Sequence, residues 1–103
     1  MLEITTKSGF ECKIDEKVLS DWRVIKELAK LREFEDIDES TEDGDTVLDF
    51  INVMSKIEEL IFKDKGKALE KHILANNDGT VAPVVLFKDI MSIFSEAKKL
   101  KNS

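Results

Sequence analysis

With 103 residues, 22 acidic and 16 basic side chains and a single cysteine, the chain fits one small domain that can form no internal disulfide. The formal net charge of −6 argues against general nucleic-acid binding, which needs a dense basic patch. Residues 33–45, EFEDIDESTEDGD, hold eight acidic side chains and no basic one, so the rest of the chain sums to +2 (16 basic against 14 acidic).

The first fourteen residues alternate. Leu2, Ile4 and Thr6 occupy alternate positions in one run, and Phe10, Cys12 and Ile14 do so in a second. Between them KSG offers a glycine that can take positive φ, so residues 1–14 read as a β-hairpin with one apolar face. Asp15 then stands where a helix N-cap belongs. Val18, Trp22, Ile25 and Ala29 recur at helical spacing, with Leu28 and Leu31 widening the stripe, which predicts a helix over 16–32 facing inward on those residues. Arg23 and Glu27 are placed for an i,i+4 ion pair.

The acidic stretch 33–45 follows as a loop, because carboxylates at a helix C-terminus oppose the dipole. It does not spell a calcium loop, which needs oxygens at positions 1, 3 and 5, glycine at 6 and a bidentate glutamate at 12. Counting from Asp36, Asp38 and Ser40 fit but Thr41 falls at 6 and Val47 at 12. Counting from Asp38 puts Asp43 and Asp49 at those places. The stretch reads as a solvated spacer that its own repulsion extends.

A second helix is expected over 46–62, capped by Thr46 or Asp45. Val47, Phe50, Ile51, Val53, Met54, Ile57, Leu60, Ile61 and Phe62 fill an arc of roughly 200° on it, about twice the width of an ordinary surface helix stripe. KALEKHILA supplies a short third helix over 66–75 with Leu69, Ile73 and His72 as inward candidates. NNDGTVAP is a loop. Pro83 suits a first helical turn, opening a fourth helix over 83–100. Leu86, Phe87, Ile90, Met91, Ile93, Phe94 and Ala97 cover nearly half of it, and Lys98, Lys99 and Lys101 suit its negative C-terminus. The fold class expected is mainly α with a small N-terminal β-hairpin (α+β), about four helices in a single domain over 1–103.

Chemistry is sparse. Cys12 and His72 are the only thiol and imidazole and lie in different elements, too few for a metal site without distant carboxylates. Cys12 sits at an inward strand position, where it acts as a small hydrophobe. Gly66-Lys67 begins a P-loop ending in appearance only, since Ile61 stands where the earlier glycine belongs and Ala68 where Ser or Thr belongs. The expectation is a non-enzyme with no cofactor and no metal. No apolar run approaches the roughly 20 residues of a membrane span, and MLEITTKSGF lacks a signal-peptide pattern. A soluble cytoplasmic protein without a membrane partner is expected. What remains is interaction: the two broad apolar arcs either share one core or leave part of an arc as a groove for a partner helix or a second copy of the chain.

The order of elements is suggestive. SGFECKIDEKVLSDWRVIKELAKL runs from the hairpin through CKIDE into a helix opening with DW, and NNDGTVAPVVLFKDIMSIFSEAKK places an Asp-Gly-x-Val turn before a last helix. Over roughly 8–34 and 76–97 the chain resembles the small tail assembly chaperones of long-tailed, noncontractile bacteriophages and related prophages. The resemblance implies a role in virion morphogenesis in the bacterial host cytoplasm, holding the long helical tape measure protein until tube subunits polymerise around it. With the two apolar arcs, it makes Phe50, Leu60, Ile61, Phe62, Phe87 and Phe94 the candidate residues for contact with a client or in a homo-oligomer. Two other classes compete: a small acidic regulatory or inhibitor protein that binds a host protein, with residues 33–45 as a nucleic-acid mimic, and a structural subunit retained in the virion.

Overall fold

A computed structural model describes residues 1–34, 44–63, 66–76 and 79–101. Among the described residues two strands and five helices follow one another: β1 (Leu2–Thr5), β2 (Glu11–Ile14), α1 (Glu16–Leu19), α2 (Trp22–Arg32), α3 (Gly44–Phe62), α4 (Gly66–Asn76) and α5 (Pro83–Lys101). The α+β class with an N-terminal hairpin is as the alternation and helical periods predict, with one helix more than expected.

The hairpin pairs Leu2 with Ile14 and Ile4 with Cys12, so the apolar parities of both strands share a face. Ile4 and Ile14 are buried, and Leu2, Phe10 and Cys12 pack against the core. Gly9 takes φ +93°, which the turn needs and a side chain would resist.

The extra helix comes from a break inside the segment expected to run over 16–32. Asp15 caps α1 by accepting from the Lys17 amide, as expected, but four residues later the chain restarts. Asp21 caps α2, accepting from the Arg23 amide at 2.8 Å. It also holds the Arg23 guanidinium through Nε at 3.1 Å and Nη2 at 2.9 Å. That side-chain bond, helped by the amide, lowers the Asp21 carboxyl to about 2. Arg23 is thereby turned toward Asp21 and not toward Glu27, whose Oε1 instead meets Lys30 Nζ at 3.4 Å. The restart resets the helical phase. Val24, Glu27 and Leu31 are buried with Leu28 beside them, while Trp22 is 71 % exposed and Ile25 and Ala29 face solvent. The inward stripe predicted through Trp22, Ile25 and Ala29 is thus corrected to Val24, Glu27, Leu28 and Leu31, an equally good i, i+3, i+4, i+7 set.

Of the acidic stretch, residues 35–43, with most of the calcium test, lie outside the described residues. Its ends are ordered differently from a plain loop. Phe34 packs against the core, and Gly44 and Asp45 already belong to α3. The helix therefore opens two residues before the expected start, which places Asp45 and Thr46 inside its first turn.

The breadth of the apolar arc on α3 has a simple cause: the helix packs against α1, α2, α4 and α5. Phe50, Met54, Ile57 and Ile61 are buried along it. It ends where Lys63 adopts φ +54°, and α4 then lays Leu69 and Ile73 into the same core. Gly79, at φ +77°, sends its amide back to the Leu74 carbonyl at 3.1 Å and closes α4. Leu86, Ile90, Ile93 and Ala97 complete the core from α5.

Glu58 is a misfit on this surface, 5 % exposed between the apolar residues of α3. Burial, reinforced by the negative charges of Glu70 on α4 and neighbouring Glu59, raises its carboxyl to about 8. The folded chain therefore holds this proton more tightly than the unfolded one. The favourable contribution is complete below the ordinary value of 4.5 and is lost as pH rises to about 8. Glu58→Gln is expected to gain stability over the parent as pH rises from 4 to 9. The gain should be on the order of 2 kcal/mol, allowing for screening by solvent, read from urea unfolding at the two pH values.

Candidate partner-binding groove

The hairpin turn is fastened to α5 by one buried carboxylate. Asp89 is 1 % exposed and receives the Thr6 hydroxyl at 2.7 Å, the Ser8 amide at 3.0 Å and the Ser8 hydroxyl. One turn on, Ser92 accepts from the Lys7 amide at 3.0 Å and donates to the Asp89 carbonyl at 2.6 Å. The Thr6 hydroxyl in turn accepts from the Phe10 amide at 3.1 Å. The Thr6 amide reaches the Phe10 carbonyl and the Gly9 amide the Thr6 carbonyl. Every backbone N–H from Thr6 to Phe10 is therefore satisfied, and three of the five depend on Asp89, Ser92 or the hydroxyl that Asp89 orients. From the other side, His72 Nε2 lies 3.1 Å from the Ser8 carbonyl, and its ring rests on Phe10 with centroids 5.5 Å apart.

This fastening builds a wall. Thr5, Thr6 and Lys7 stand along one side of an open groove of about 660 Å³ whose floor is Phe87, Met91 and Phe94 on α5, with Arg32 reaching in from the end of α2. A smaller hollow bounded by Leu19, Phe94, Ala97 and Lys98 continues it. From Phe87 to Lys98 the floor follows α5 for about 16 Å, three helical turns. The two stripes of α5 thus divide the work. Leu86, Ile90, Ile93 and Ala97 are buried, and Phe87, Met91 and Phe94, at i, i+4, i+7, stay half-buried in the groove. The rim carries Lys7, Arg32, Lys88 and Lys98, none of which forms an ion pair with a described residue. The one carboxylate there, Glu96, is held by Lys99 at 3.2 Å.

The six candidate residues separate. Phe50 (1 % exposed) and Ile61 (7 %) are core residues of the folded chain. Leu60 and Phe62 are half-buried against that core, Phe62 edge-on to Phe10 at 6.2 Å. Phe87 and Phe94 floor the groove. Behind the floor, Phe50 lies between Phe34 and Phe87, both with centroids 5.5 Å away, tilted against the first and edge-on to the second.

Comparison of the chain with protein-family models, with curated proteins and with solved structures finds no match. The site therefore has to be judged by its own chemistry. A second cavity, of about 770 Å³, opens beside β2 over Phe10, Cys12, Val18, Ile61 and Phe62. Its charges are mixed and partly self-paired, Lys13 Nζ lying 3.8 Å from Glu3. Burial pushes the Cys12 thiol up to about 11, so it is a thiol and not a thiolate at neutral pH, and it points back to the Ile4 carbonyl at 3.5 Å. In the cavity beside β2 the charges partly pair with one another, whereas the groove on α5 combines a continuous apolar floor with four cations that no described residue pairs. That combination suits binding of a chain segment.

Sequence reasoning passed over Asp89 and the cationic rim. The signal for Asp89 was present: it falls three residues after Leu86 and four before Ile93, inside the buried stripe. A carboxylate at such a place needs partners. Lys7, Arg32, Lys88 and Lys98 are scattered over the sequence, and only the fold collects them.

Elsewhere, Trp22 and Ile25 on α2, and Leu48 (60 % exposed) and Ile51 on α3, form pairs one turn apart that face solvent. Among the described residues no helix is long and apolar enough to cross a membrane.

Proposed function

We propose that this chain is a non-catalytic holding protein that takes a helical client into the groove on α5. In keeping with the resemblance of residues 8–34 and 76–97, it serves as a tail assembly chaperone for a phage tape measure protein in the bacterial host cytoplasm. The observation that carries the reading is the row Phe87, Met91 and Phe94: three large apolar side chains at i, i+4, i+7, packed on the core below and open above. A helix-in-groove contact uses such a row to receive anchors of the same spacing from the client. The acidic stretch then keeps a protein with an exposed apolar groove soluble.

Co-expression with the tape measure protein encoded beside it, followed by pull-down and light scattering, tests the reading. The expected result is a soluble complex with a client that is insoluble alone. Phe94→Ser should cut the captured client at least about five-fold while far-UV circular dichroism stays at the parent's value, because a half-buried groove residue contributes more to contact than to the fold. A client that stays insoluble while this protein elutes alone would remove the tape measure assignment.

A further inference from the structure

We infer that the groove selects a client segment that is acidic as well as amphipathic: a helix with apolar anchors on one face and carboxylates flanking them. The inference rests on the binding role assigned to the groove and adds the chemistry of what enters it. Three observations carry it. The floor is apolar and about three turns long, which fits a helix stripe. Four cations from four parts of the fold, the hairpin turn, the end of α2 and both ends of the α5 floor, converge on its rim. None of the four is neutralised by a described residue, and Glu96 is engaged by Lys99.

That convergence runs against the chain as a whole, whose net charge is −6. An acidic segment approaching at random would be repelled. One aligned with the groove meets Lys7, Arg32, Lys88 and Lys98 at once, so the rim sets register and suppresses neutral or basic helices of equal hydrophobicity. The gain is in selection more than in raw affinity, because exposed ion pairs are individually weak.

The probe is a fluorescein-labelled peptide of roughly 16 residues with leucine every third or fourth position and glutamate and alanine elsewhere. Fluorescence anisotropy against the full chain is compared with two relatives of the peptide, one with lysine for each glutamate and one with serine for each leucine. Binding of the acidic peptide alone is expected, weakening about ten-fold for the double variant Lys88→Glu/Lys98→Glu and also on raising salt from about 0.05 to 0.5 M. The lysine peptide should gain affinity for that double variant. Both substitutions lie on the exposed rim and leave the core untouched.

Equal binding of the acidic and lysine peptides would overturn the inference, as would binding of neither. Displacement of the acidic peptide by a roughly 20-residue oligothymidylate at lower concentration would also overturn it and make the rim a site for nucleic acid. The outcomes separate this inference from the tail assembly reading. Acidic-peptide binding with no tape measure capture keeps the groove chemistry and removes the assignment; capture that ignores the Lys88→Glu/Lys98→Glu change keeps the assignment and removes the charge selection.

Discussion

Asp89→Ala is expected to lower the free energy of unfolding by about 3–4 kcal/mol. The substitution leaves the Thr6 hydroxyl, the Ser8 amide and the Ser8 hydroxyl without their acceptor in a place where water reaches poorly, and hydrogen bonds to a carboxylate are the strong ones. A chain this short holds only about 5–15 kcal/mol in total, so the loss would be a large share. Urea unfolding followed by circular dichroism measures it. Asp89→Asn keeps the shape but turns an amide NH₂ toward donors, so it should recover less than half of the loss. A cycle with Thr6→Val should return a coupling above about 1 kcal/mol, since the two side chains bond directly at 2.7 Å. A loss under about 1 kcal/mol for Asp89→Ala would mean that solvent replaces the clamp. The groove wall would then be a flexible flap and not a fixed side.

Phe50→Ala should cost a similar or larger amount, about 3–5 kcal/mol, through the cavity it leaves. Phe50 is 1 % exposed and joins three helical segments, with Phe34 after α2 on one side and Phe87 of α5 on the other. Because Phe87 is also floor, the cavity would let the groove sag, and client capture and stability should fall together. Phe94→Ser should instead lose capture and keep the melting temperature. The contrast sorts core from contact surface within the set of large apolar residues that the helical projection grouped together. If Phe50→Ala kept the parent's melting temperature and lost only capture, Phe50 would be a contact residue and the ring contacts around it dispensable.

Local regularities were legible because their causes are local. Alternation placed the hairpin, since successive side chains of a strand point to opposite faces, and the structure pairs Ile4 with Cys12 on the shared apolar face. Pro83 marked the start of α5, and the periods of α4 and α5 placed Leu69, Ile73, Ile90 and Ile93 in the core. The segment after Asp15 was harder. Ser20-Asp21 is a cap that competes with helix continuation, and either outcome satisfies a 3.6-residue period. Reading it as continuous turned Trp22 and Ile25 inward, when the capped restart turns them out.

By itself the sequence determined that this protein is a helical α+β chain with an N-terminal hairpin, more apolar surface than ordinary surface helices carry, and negative charge gathered into one stretch. Only the tertiary structure decided how that apolar surface is spent. Periodicity gives the direction of a face relative to its own helix axis, but not which neighbour lies there. On α3, four neighbours take up most of the arc. On α5 one stripe is covered and the next, Phe87, Met91 and Phe94, stays open. The groove wall and its rim are also tertiary, because the bonds that set them join residues far apart in the chain, Thr6 to Asp89 and Lys7 to Ser92. No local pattern can encode a bond whose partner is brought up only when the core closes.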